Sequence, residues 1–207
     1  MTDQRREHWE EVYRTKPVER VSWYQPNPKP SLDALARLGA GPDKSLIDIG
    51  GGASALAARL AEAGWGDLTV LDISEPALGQ ARAAMGAGAE TVEWIAADIT
   101  RWTPPRRYDV WHDRAVFHFL TQADQREAYR RALLHGLAEG GLLLIATFAL
   151  DGPEKCSGLP VQRYDAAGLS EALGDGLRLI EHWRELHITP WEAEQAFTWA
   201  AFRKETP

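Results

Sequence analysis

The chain has a single cysteine, Cys156, and only five lysines among its 207 residues. One thiol excludes an internal disulfide and any cluster of several thiolates around a metal. The histidines at 112 and 118 stand six apart and those at 182 and 187 five apart, so neither pair has the i, i+4 spacing of helical metal ligands, and no metal is expected. No apolar run approaches the roughly 20 residues that cross a bilayer. The longest, Leu142 to Leu150, is strand-sized and interrupted by Thr147. Basic residues never cluster beyond the pairs Arg5-Arg6, Arg106-Arg107 and Arg130-Arg131, and the net charge is −7. That balance argues against a general binder of phosphate backbones, and neither nucleic acid nor membrane is expected as a partner. The opening residues, MTDQRREHWEEVY, contain neither an apolar signal core nor a small-residue cleavage site. A cytoplasmic, reduced chain is the expectation. No period of 20 to 50 residues recurs, which excludes solenoids and propellers.

What is present is the composition of a folded globular chain: 44% hydrophobic and 26% charged residues, in a length suited to one domain spanning 1–207. Nine tryptophans is a high number, and they fall near the ends of expected elements, where an aromatic caps a core or lines a cleft. The first 40 residues read as an appendage. A helical charge pattern over Asp3 to Arg14 carries Trp9 and Tyr13 at i, i+4, and the proline-rich stretch from Trp23 to Pro30 is incompatible with helix. Ser31 suits the N-cap of a short helix, Leu32 to Leu38, ended by Gly39 and Gly41.

From residue 44 to 203 short apolar runs alternate with helical segments. Strands are expected at Leu46–Ile49, Leu68–Leu71, Val92–Ile95, Tyr108–Trp111 and Leu142–Thr147. Helices are expected up to Ala63, over Glu75–Met85 and over Gln122–Ala138, with Gly64, Gly136 and Gly140-Gly141 as stops. This alternation implies βαβ units: an α/β, doubly wound, mainly parallel sheet with helices on both faces. A loop, Asp151 to Leu159, and a helix, Ala166 to Leu173, precede two β-like runs, Leu177–Leu186 and Ala196–Phe202, that suit an antiparallel pair at the sheet edge.

Ligands of such sheets bind beyond the carboxyl ends of the strands, where strand order reverses. The candidate turn is Asp48-Ile49-Gly50-Gly51-Gly52-Ala53-Ser54, after the first strand and opening a helix. Asp72 ends the second strand, 24 positions on, where a carboxylate can accept from two ribose hydroxyls. Asp98, in Ala96-Ala97-Asp98-Ile99, is placed to receive an exocyclic adenine amine. A dinucleotide site presents an open helix N-terminus to pyrophosphate. Three acids around the mouth repel that group and attract a sulfonium and an ammonium instead.

In these residues the sequence resembles the class I S-adenosylmethionine-dependent methyltransferases. Residues 46–54 match the family's first motif, Asp72 its ribose acid and Ala97-Asp98-Ile99 its adenine-contacting stretch. Tyr108 to Arg114 match its fourth strand, and Gly140-Gly141-Leu142-Leu143-Leu144 its fifth. The resemblance implies a Rossmann-like methyltransferase fold, a seven-stranded sheet with an antiparallel last strand. It also implies S-adenosylmethionine as cofactor, held by Asp48, Gly50, Gly52, Asp72, Ile73, Ala97, Asp98, Ile99 and Arg114. Trp9, Tyr13 and Ser22-Trp23-Tyr24 are similar to the aromatic lids of small bacterial and thiopurine-type methyltransferases, which makes residues 1–40 a lid and Trp23 a cofactor contact by cation–π attraction.

Methyl transfer from a sulfonium needs mainly the positioning of a nucleophile. The groups at the fourth-strand end are His112, Asp113, Arg114 and, a turn further, His118. Asp113 and Arg114 are expected to bracket the methionine end or the acceptor, with His118 as base; the alternatives are a structural Asp113–Arg114 pair, a satisfied His112 beneath the sheet edge and a packing role for His118. Cys156, Arg163 and Tyr164 leave the fifth strand on the same edge, the thiol reactive only with a base beside it. The expected enzyme methylates N, O or S of a small molecule by in-line displacement, as monomer or homodimer. A protein lysine methyltransferase, a nucleic-acid methyltransferase, a nicotinamide reductase and a non-catalytic cofactor-binding module are the other readings.

Overall fold

The computed structural model describes residues 2–205; Met1, Thr206 and Pro207, the ends of the expected 1–207 span, lie outside the described residues. In chain order the elements are α1 (Thr2–Thr15), α2 (Lys29–Arg37), β1 (Leu46–Ile49), α3 (Leu56–Glu62), β2 (Leu68–Asp72), α4 (Glu75–Met85), β3 (Val92–Ala96), β4 (Tyr108–Arg114) and α5 (Ala123–Gly136). They continue with β5 (Leu137–Phe148), β6 (Lys155–Cys156), β7 (Leu159–Pro160), α6 (Ala166–Leu173), β8 (Leu177–Ile188) and β9 (Glu194–Lys204). Seven strands form one sheet in the order β3-β2-β1-β4-β5-β9-β8. β1 to β5 run parallel, and β9 lies antiparallel between β5 and β8. This is the Rossmann-like methyltransferase fold that the resemblance implies, with strand order reversing between β1 and β4.

The central strands are buried on both faces, which is why they read as continuous apolar runs and not as alternation. Successive β5 residues feed two separate cores. Leu142, Leu144, Ala146 and Phe148 pack with α2, α3 and α4 through Leu35, Leu60 and Leu78. Leu143 and Ile145 pack with α5 and α6 through Tyr129, Leu133, Leu169 and Leu173. Sequence chemistry sets the helix starts: Ser74 caps α4 by accepting from the Ala77 N–H, and Asp165 caps α6 by accepting from Gly168.

Several boundaries differ from the expectation. α2 starts at Lys29, with Pro30 inside its first turn, where a missing N–H costs nothing. Ser31 is therefore not an N-cap; it lies buried within the helix and bonds to His112. α5 stops at Gly136, and β5 begins at once, so Gly140-Gly141 lie within the strand at a register shift, Gly140 taking φ 70°. Gly136 is where the helix end packs closely, since a Cβ there would meet Pro104 and Trp111. The expected loop 151–159 contains a β6–β7 pair, turned through Ser157 and Gly158, both at positive φ. The closing strands run longer than expected, joined by a hairpin whose tip exposes Trp191. Trp111 and Trp199 stand inside β4 and β9 and are fully buried, not at element ends.

Candidate active site

The turn after β1 is shaped by backbone, not side chains. Gly50 takes φ 67°, and a Cβ there would overlap Val116 Cγ2. Gly52 takes φ 35°, and its Cβ would stand 2.7 Å from Asp72 Oδ2. Only glycine fits at either position. Beside this turn opens a cleft of about 870 Å³, its mouth included. Its near side is lined by Gly50, Asp72, Ile73, Ala97, Asp98 and Ile99, with Leu71 and Leu120. Asp72 Oδ1 accepts from the Ser74 N–H at 2.8 Å, and burial pushes its carboxyl up to about 7, with Asp48 nearby adding repulsion. Asp98 Oδ1 accepts from the Thr100 N–H and hydroxyl, whereas its buried Oδ2 has no hydrogen bond and faces Arg5 Nη2 at 3.5 Å.

Asp48 faces a second, smaller chamber with Gly51, Ser54, Tyr24, Gln25 and His112. His112 bonds through Nδ1 to Asp48 Oδ1 at 2.7 Å and through Nε2 to Ser31 Oγ at 3.0 Å, all three residues being buried. This chain links the glycine turn to α2. Gly50 and Arg114 border both chambers.

The far side of the cleft is aromatic. Trp9, Trp23, Phe119, Phe148 and Phe197 line it, together with Tyr13, Arg114, Cys156 and Gln195. Trp9 contacts Tyr13, Trp23 and Phe119 at ring-centroid distances of 6.4, 5.6 and 5.1 Å. The segment after α1 is pinned down: His187 Nε2 donates to the Ser22 carbonyl at 2.7 Å, and Gln25 donates to Glu185. Gln80 holds the end of α1 by donating to the Tyr13 carbonyl.

Two expectations about catalytic groups do not hold. Asp113 is fully buried and points away from the cleft; its oxygens accept from the Val116 and Phe117 N–H groups and from the Tyr129 hydroxyl, so it braces the turn after β4. Burial pushes its carboxyl up to about 6. It makes no pair with Arg114, since alternation along β4 sends the two to opposite faces. His118 is also fully buried and outside the cleft wall. Its Nδ1 accepts from the Phe148 N–H at 3.3 Å, and burial, with Arg114 adding to it, pushes the imidazole down to about 3. It packs between Phe119 and Phe148. His112 takes the satisfied role beneath the sheet edge. Cys156 does reach the cleft, but burial pushes its thiol up to about 11. Arg163 bonds to Gly152 and Glu154 instead, and Tyr164 packs against Phe117.

Other cleft residues escaped the sequence reading. Arg5 extends the stripe Trp9–Tyr13 by one more helical turn, so the i, i+4 spacing signalled it. Gln195 and Phe197 come from the chain's far end: antiparallel pairing sets Phe197 opposite Phe148, bringing the start of β9 to the edge where β5 ends. Ala115, at φ 75°, is a non-glycine residue in the left-handed region where the chain leaves β4 for the cleft, and no local signal marks it.

The buried acids and the glycine turn at the switch point fit an adenosyl sulfonium: an unused Asp98 oxygen, Asp72 at the end of β2, and a cradle that no side chain at 50 or 52 leaves open. Together with the strand order they define a class I S-adenosylmethionine-dependent methyltransferase, an enzyme whose cofactor is S-adenosylmethionine. The family model for the methyltransferase domain matches residues 46–141, from β1 into β5. No curated protein matches the sequence. Among solved structures, a methyltransferase from Anabaena variabilis superposes with a TM-score of 0.78 at 15% identity, over 99% of this chain and 95% of that one. The N-methyltransferase NodS of Bradyrhizobium japonicum, in complex with S-adenosyl-L-homocysteine, gives 0.68 at 20% identity over 94% and 99%. A 1,6-didemethyltoxoflavin N1-methyltransferase from Burkholderia thailandensis, with its substrate bound, gives 0.67 at 19% over 99% and 85%. No described helix is long and apolar enough to cross a membrane.

Proposed function

We propose that the protein transfers a methyl group to an N, O or S atom of a small-molecule acceptor enclosed beneath its N-terminal arm. The observation that carries this reading is the continuity of one cleft: an acid-lined side shaped by the glycine turn runs directly into an aromatic chamber roofed by α1 and the segment around Trp23. S-adenosylmethionine supplies the methyl group, already activated on a sulfonium. Asp72 and Ile73 hold the ribose, Ala97, Asp98 and Ile99 the adenine, and Gly50 with Asp48 the methionine end. The arm acts as the lid, excluding water and fixing the acceptor, and positioning of this kind is worth roughly 7–11 kcal/mol at best. That solved neighbours include enzymes named as N-methyltransferases, one with a small heterocyclic substrate bound, agrees with a small acceptor. The test is release of S-adenosylhomocysteine from S-adenosylmethionine across a panel of phenols, thiols and amines. Turnover of at least one small acceptor is expected. Cofactor binding with no turnover of any of them, alongside methylation of a protein in a lysate, rejects a small acceptor.

A further inference from the structure

Two groups in the aromatic chamber are left with unused hydrogen-bonding capacity. Arg114 closes β4 with its guanidinium buried, 4.7 Å over the ring of Phe197. Its hydrogen bonds among the described residues are long: Nη1 to the Trp23 carbonyl at 3.4 Å and Nη2 to Glu185 Oε1 at 3.5 Å. Its Nε has no partner. Glu185 is itself shared with Gln25 and the Trp199 indole N–H. Gln195, on β9, lines the same chamber with its Oε1 buried and without a partner. A buried donor or acceptor left unmade is costly, and both are explained if a ligand completes them.

Resting on the small-molecule reading above, we infer that the chamber takes a flat aromatic acceptor that reacts as its anion, the anionic atom received by Arg114 and a neighbouring O–H or N–H donated to Gln195 Oε1. The five rings of Trp9, Trp23, Phe119, Phe148 and Phe197 supply the stacking walls. Charge favours an anion over an ammonium. Around Arg114 stand Glu185 and His187 from β8, Cys156 from β6 and His118 from the turn after β4. Burial keeps both imidazoles and the thiol neutral, leaving Glu185 as the counter-charge among these described groups, its Oε1 facing Arg114 at 3.5 Å and shared with Gln25, its Oε2 bonded to Trp199. Among the described residues of the aromatic side none is a poised base, which points the same way. An anionic acceptor needs none: its lone pair forms the bond to the methyl carbon, the carbon–sulfur bond breaks with its pair left on sulfur, and a neutral thioether and a neutral methylated product result. The acceptor's proton goes to solvent before the chamber closes.

The test uses protein saturated with S-adenosylhomocysteine and three probes: 4-nitrocatechol, 4-nitrophenol and benzylamine. Expected are binding of both nitrophenols, tightest for 4-nitrocatechol, and no saturable binding of benzylamine. The visible absorption of bound 4-nitrophenol should show its pKa lowered by about 1–3, as a cation within a few ångströms does. Arg114→Met should abolish that spectral shift and weaken probe binding at least tenfold while S-adenosylhomocysteine still binds, which also shows that the variant folds; Arg114→Lys should restore part of the shift. Gln195→Leu should erase the preference for 4-nitrocatechol. Benzylamine binding as well as the phenols, or loss of S-adenosylhomocysteine affinity in Arg114→Met matching the loss for the probe, overturns the inference and leaves the methyltransferase reading intact. If S-adenosylhomocysteine fails to bind the parent protein, it is that reading which falls.

Discussion

The two sides of the cleft are built by different means. The acid-lined side comes from one contiguous stretch, the ends of β1, β2 and β3 with the turns that follow, and its chemistry sits in a backbone curve and the carboxylates of Asp72 and Asp98. The aromatic side is assembled from distant parts: α1 and Trp23 from the beginning, Phe119 and Phe148 from the middle, Gln195 and Phe197 from the end. A contiguous site is specified by spacing along the chain, whereas an assembled one is specified only by topology.

The sharpest way to break this contrast is Gly50→Ala. A Cβ in the left-handed region would press on Val116, and we expect about 2–3 kcal/mol lost in stability, with cofactor affinity down roughly 30- to 150-fold. Urea unfolding and titration with S-adenosylhomocysteine measure both; a variant that binds like the parent would show that the turn does not shape the site. Next comes Asp72→Ala, expected to weaken cofactor binding by about 1–3 kcal/mol, with affinity within a factor of two rejecting its role. Asp72 also carries a pH signature. Its folded pKa of about 7 lies above the unfolded 3.8, so its contribution to stability is complete below about pH 4 and is lost as pH rises through 7. Denaturation midpoints of the ligand-free protein should fall across that window, and less so in Asp72→Asn. On the aromatic side, Trp23→Leu should weaken S-adenosylmethionine more than S-adenosylhomocysteine, by about 0.5–2 kcal/mol; equal losses would remove any cation–π contact. The smallest effect is expected for His118→Gln, which retains an acceptor for the Phe148 N–H. Turnover should stay within about threefold, and a larger loss would return His118 to the chemistry.

Legibility followed the same division. β1, β2, α4 and the Asp48, Asp72 and Asp98 positions were readable because a parallel strand buried on both faces leaves an unbroken apolar run, and the turn after it leaves glycines. Asp113 and His118 were misread for one reason. Sequence proximity to β4's end said nothing of which face each side chain takes or what satisfies it there, and Tyr129, which receives Asp113, lies 16 residues on. Ser31 was misread because Pro30 was taken to end the proline-rich stretch, when it sits in the first turn of a helix. Gln195 carries no local signal, since only the pairing of β9 with β5 brings it to the cleft.

That pairing has a consequence for how acceptor preference can change over time. Phe197 belongs to the strand that covers the hydrogen-bonding edge of β5, and it is 1% exposed; trimming it to alanine would cost about 3–5 kcal/mol of fold stability along with any altered taste for substrate. Trp9 sits half-buried on a peripheral helix, where replacement leaves the sheet untouched. Divergent relatives should therefore vary first at the roof of the chamber and last at its floor.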